Sequence, residues 1–151
     1  MSAQGLAAAV NALFVAGGFP PVVGASSPTP PADGTVRVFD GQVPGTAPVA
    51  FVVVNHRIPN VVSRSEGRSR LAHRCYALVT VTAATADGVR VIAQRVIDAL
   101  EGARPVADGW STAPLALLNA REPVEDRDVQ AANGRYPMFA KLEFDYTATL
   151  V

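Results

Sequence analysis

At 151 residues, with 49% hydrophobic side chains and thirteen basic against thirteen acidic residues, the chain is long enough for one domain with a real core and carries no net charge. That balance excludes compositional disorder and argues against a dedicated nucleic-acid binder, which is usually basic as a whole domain; any electrostatic role must be local. The single cysteine, Cys75, excludes an internal disulfide framework.

The first segment, SAQGLAAAVNALFVAGGF (2–19), places Leu6, Ala9, Val10, Leu13 and Phe14 on one helical stripe, and Gly17 and Gly18 supply a stop. It lacks the charged start and apolar run of a secretory leader, so none is expected, and no apolar stretch approaches the roughly 18 residues of a membrane span. A Pro/Gly-rich connection covers 17–34. TVRVFD (35–40) and VAFVVVNHR (49–57) are β-branched runs separated by GQVPGTAP, which predicts two strands with a Gly/Pro-rich turn between them. CYALVTVTA (75–83) predicts a third strand, apolar on both faces until Thr80 and Thr82, as a central strand would be.

The period then switches. Val89, Ile92, Ala93, Val96, Ile97 and Leu100 recur at helical spacing, with Thr85 or Asp87 able to cap the start and Gly102 to close the end. PLALLNA (114–120) predicts a weaker strand. From Met138 to Leu150 the residues alternate: Met138, Ala140, Leu142, Phe144, Tyr146, Ala148 and Leu150 on one face, Phe139, Lys141, Glu143, Asp145, Thr147 and Thr149 on the other. The order α-β-β-β-α-β-β predicts one α+β domain over 1–151, a mostly antiparallel sheet of about five strands with two helices on its apolar face.

Two charged stretches stand out. The loop 57–74 holds Arg57, Arg64, Arg68, Arg70 and Arg74, opposed only by Glu66; the stretch 121–128 holds Glu122, Glu125, Asp126 and Asp128 against two arginines. Four readings of the arginine-rich loop compete: a solvated loop, a docking surface for a subunit or partner, a lining that faces passing DNA, and sequence-specific nucleic-acid recognition. The last is disfavoured, because neither interleaved aromatics nor a reading helix accompanies the arginines. Docking is favoured, since arginine's planar fork suits interfaces.

Catalysis needs a nucleophile, a base beside it and a group that orients the base. His73 and Cys75 would share a strand face roughly 7 Å apart, too far for a tight pair. The cysteine reads as buried and inert, and His56 as a residue at a strand end with its ring partly in water. The acidic stretch fails the calcium-loop template, because Arg127 and Val129 break the ligand spacing. With two histidines and one cysteine there is no metal-ligand spacing, and no phosphate loop occurs. No catalytic residue, no metal and no cofactor are expected; the chain does not read as an enzyme.

The layout as a whole is informative. A short amphipathic helix precedes a Pro/Gly-rich stretch, then VFDGQVP leads into the apolar strand, VTVTAATADGVRVIAQRVIDAL joins a strand to a helix, and YPMFAKLEFDYTATL closes. Across nearly the whole chain from about residue 3 this resembles the tail terminator and tail completion proteins of long-tailed phages. The resemblance rests on apolar spacing, not on invariant chemical residues. It implies a structural virion protein that forms a ring, typically a homohexamer, on the head-proximal end of the tail tube. There it would stop tube growth and present the surface to which the head attaches through a connector or stopper protein. It implies the tail tube protein and a head-tail connector as partners, genomic DNA passing through the ring, a virion neck location reached from the host cytoplasm, and no catalytic site. The alternatives are another neck protein, such as a connector or stopper, and a small nucleic-acid-binding module that uses the arginine-rich loop. In a ring the contact is heterologous, so loops of opposite charge suit it. Lys141, Glu143 and Asp145 are then a second candidate surface, for a neighbour or for the lumen.

Overall fold

A computed structural model describes residues 3–22, 36–42, 50–58, 72–128 and 136–151. Helix α1 (Ala3–Ala16) buries Leu6, Val10 and Phe14, and its end is built by glycine. Gly18 sits at φ 95°, the left-handed conformation that costs glycine little; its N–H donates to Val15 and that of Phe19 to Phe14. This closure brings the Phe14 and Phe19 rings edge to face, 5.7 Å apart. Helix α2 (Ala86–Leu100) buries Val89, Ile92, Val96 and Leu100, and of its two candidate caps Thr85 is the one used, accepting from the Gly88 N–H at 3.1 Å. The helices cross at Gly17, where an added Cβ would stand only 2.3 Å from that of Ala99.

Among the described residues the sheet has seven strands: β1 (Arg37–Asp40), β2 (Phe51–Arg57), β3 (Ala72–Ala83), β4 (Trp110–Thr112), β5 (Ala116–Ala120), β6 (Val124–Glu125) and β7 (Met138–Leu150). Their order is β1-β2-β3-β7-β4, with β5 and β6 also pairing with β7. β7 thus serves as a spine. It pairs along its length with β3 on one side, and with β4, β5 and β6 in succession on the other. The α+β class, the two helices and the central place of β3 agree with the sequence reading. The strand count does not, because β4 and β6, three and two residues long, carry too few residues to show a period. The first two strands pair in parallel, Arg37 opposite Phe51 and Asp40 opposite Val54, so they are not a hairpin closed by a Gly/Pro turn. The other pairings are antiparallel.

Alternation decides the faces. Val52, Val54, Ala77, Val79, Val81, Ala140, Leu142 and Phe144 point to the helices and form the core with them. No helix among the described residues is long and apolar enough to cross a membrane.

Candidate interaction surface

Among the described residues, the opposite face of the sheet carries no helix. Its rows across β2, β3 and β7 read Arg57, Tyr76, Asp145, then Asn55, Leu78, Glu143, then Val53, Thr80, Lys141. Lys141, Glu143 and Asp145 therefore share this open face, as their alternation in sequence predicted, and differ in what they touch. Arg74 Nη2 lies 2.7 Å and Nε 2.8 Å from Asp145 Oδ2, a bond between strands that holds the exposed guanidinium, its pKa raised above the ordinary range, over the Tyr76 ring at 5.5 Å from its centre. Lys141 and Glu143 have no ion-pair partner among the described residues. Around them the face is concave. A depression of about 230 Å³ involves Thr80, Asn119, Arg121, Lys141 and Glu143, and an adjoining one of about 550 Å³ reaches the acidic stretch at Glu125, Asp126 and Asp128.

Asn119 and Arg121 were not singled out by the sequence. They arrive through the irregular pairing of β5, whose register shifts between Leu117 and Asn119, a displacement that periodicity does not announce.

The described ends of the basic stretch, Arg57 and Arg74, and the acidic residue Glu125 lie toward opposite ends of the sheet. Arg57 ends β2 and Arg74 stands near the start of β3, opposite Thr147. Glu125 pairs with Met138 at the other end of β7, nine residue steps from Thr147, roughly 30 Å at the rise of a strand. Arg64, Arg68 and Arg70 lie outside the described residues. Much of the charge at both ends is partly engaged within the chain. Glu122 meets Arg90 of α2 at 3.4 Å, Glu125 meets Arg127 at 3.5 Å, and Asp126 accepts from the Asp128 N–H at 3.2 Å.

The groups with chemistry in them are elsewhere. Cys75 is fully buried on the helix side of β3, its thiol directed to the His73 carbonyl and its pKa pushed up by burial. His73 is buried on the same side, its ring edge-to-face with Trp110. The sequence reading of His56 is corrected: its side chain is only 7% exposed. His56 alternates with Val52 and Val54 toward the core, which draws the ring under α1, not into water. Among the described residues no three His, Cys, Asp or Glu side chains gather as metal ligands.

No protein-family model matches the chain, and no curated protein matches it in sequence. Solved structures do. A chain from the virion of a native gene transfer agent particle is similar at 18% identity and a TM-score of 0.50, over 75% of this chain and 77% of its own. The fold is shared with a virion protein. A second solved chain is similar at 19% identity and a TM-score of 0.51, over 97% of this chain and 96% of its own. At these identities the likeness establishes the fold alone.

Proposed function

We propose that this chain is a structural virion protein that caps the head-proximal end of a phage tail tube as a ring, most simply a homohexamer. It ends tube growth and forms the surface to which the head attaches through its connector or stopper protein. The observation that carries the reading is the fold shared with a chain of the gene transfer agent virion over three-quarters of both chains. The separation of the charged stretches supports it: a basic end and an acidic end of one face, far apart in a single subunit, suit a head-to-tail contact in which one end meets the other on the neighbour.

In this reading the loop 57–74, with Arg57, Arg64, Arg68, Arg70 and Arg74, approaches Glu122, Glu125, Asp126 and Asp128 of the next subunit. Lys141, Glu143 and Asp145 line the lumen or a second contact, and the genome passes without being read. Electron microscopy of the purified protein tests this, with rings expected and a uniform monomer at high concentration counting against it. Locating the chain in assembled particles decides its station: a position at the head-proximal end of the tail supports the proposal, and one confined to the distal tip overturns it. Reversing the charges of Arg64, Arg68 and Arg70 is expected to dissolve the rings, and reversing the acidic residues as well to restore them. Salt-sensitive retention on DNA by a chain that forms no ring would instead favour the nucleic-acid-binding alternative.

A further inference from the structure

Where α1, the end of β1 and β2 meet, three polar side chains form a relay. Asn11 Nδ2 donates to Asp40 Oδ2 at 2.9 Å, and His56 Nε2 lies 2.8 Å from Asn11 Oδ1 and 3.8 Å from Asp40 Oδ2. The outermost bond fixes the others. An ionised carboxylate can only accept, so the Asn11 amide turns its nitrogen to Asp40 and its oxygen to His56. That oxygen can only accept in turn, so His56 Nε2 carries the hydrogen and Nδ1 is the bare nitrogen of a neutral ring. Nδ1 is sealed from solvent and has no hydrogen-bond partner among the described residues.

A proton arriving at His56 must therefore settle on Nδ1, where no described acceptor stands. Two effects oppose each other. Burial disfavours the charged ring and is the larger, while the Asp40 carboxylate favours it; the result is a pKa below the ordinary 6.5. Among the described residues, the neighbouring elements add no other charge at the ring. Asn55 and Arg57 of β2 point to the open face, β3 presents Ala77 opposite His56, and α1 contributes the neutral Asn11.

We propose that this relay is a proton-sensitive latch, which fastens the middle of α1 to the β1–β2 edge while His56 is neutral and releases it when Nδ1 takes up a proton. Release would uncover the core side of α1, Leu6, Val10 and Phe14, at the end of β2 that leads into the arginine-rich loop. The inference is independent of the ring and goes beyond it, because it gives the subunit a response to acid.

Hydrogen exchange from pH 8 to pH 5, normalised to intrinsic rates, tests it. Opening that takes up one proton should raise α1 exchange about tenfold per pH unit below the ordinary histidine range, while β3 and β7 stay unchanged. His56→Gln keeps a donor for Asn11 with nothing to titrate, and its α1 exchange should be flat. Asp40→Asn removes the attraction for the charged ring in the closed state, so its response should begin at the same pH and level off at a lower one. An α1 response that is absent, that survives His56→Gln, or that is matched by β3 and β7 overturns the latch. Should His56→Gln fail to fold, ring nitrogen shifts of the unaltered protein decide: an Nε2–H tautomer is expected, and an Nδ1–H tautomer is incompatible with the relay.

Discussion

The two faces of the sheet are made by the same strands and obey different rules. On β7, Leu142 and Phe144 are sealed against the helices, while their immediate neighbours Lys141 and Glu143 stand on the open side. Toward the helices, what matters is volume, because an interior packed like an organic crystal registers a missing methyl. Toward the open side, what matters is charge and shape, and a residue there is free to change without endangering the fold. A fold shared at under a fifth identity is what that division permits: the covered face holds the architecture, and the open face can be rewritten.

The sharpest break between the faces is expected on β7 itself. Phe144→Ala should destabilise by about 3–5 kcal/mol, whereas Glu143→Ala should change stability by less than about 0.5 kcal/mol and act on assembly instead. Chemical unfolding of both variants measures this, and equal costs would erase the distinction. A second contrast lies along one helix and its end. Gly17→Ala pushes a methyl into Ala99 and should cost about 1–3 kcal/mol, while Gly5→Ala, with nothing within 4 Å of the new carbon, should stabilise α1 by about 0.5–1 kcal/mol. Thr85→Ala removes the α2 cap, with an expected loss of about 1 kcal/mol in the same measurement.

Smaller effects follow from titration and screening. The buried Cys75 thiol has its pKa raised above the ordinary 9.0, so an unfolded chain gives up its proton first. That contribution to stability is complete below about pH 9 and is lost as pH rises through the folded value; the native thiol should also resist alkylation until the protein unfolds. The smallest change is expected from Arg74→Ala, whose exposed bond to Asp145 should already be weakened by added salt.

Legibility followed the length scale of the signal. Thirteen alternating residues declare β7, and the stripe from Val89 to Leu100 declares α2, because each period repeats several times within one element. The parallel pairing of β1 with β2 is a choice between strands that neither sequence contains. The Arg74–Asp145 bond joins residues 71 apart, and the relay joins Asn11 to His56 across 45. For His56 a signal existed: two positions after Val54 on a strand whose even residues face the core, its burial was implied by alternation. The charged stretches were visible as composition, but the placement of Arg74 and Glu125 at opposite ends of β7 was not, since it depends on how β3 and β6 register against β7.

β7 has a further consequence, in time instead of space. It borders β3, β4, β5 and β6, yet it is synthesised after all of them. Until residues 138–150 have emerged from the ribosome, β3 lacks its longest partner, and β4, β5 and β6 lack the strand they pair with. Such distant pairings fold slowly and leave strand edges bare meanwhile. A growing chain therefore cannot complete its sheet until its spine is in place.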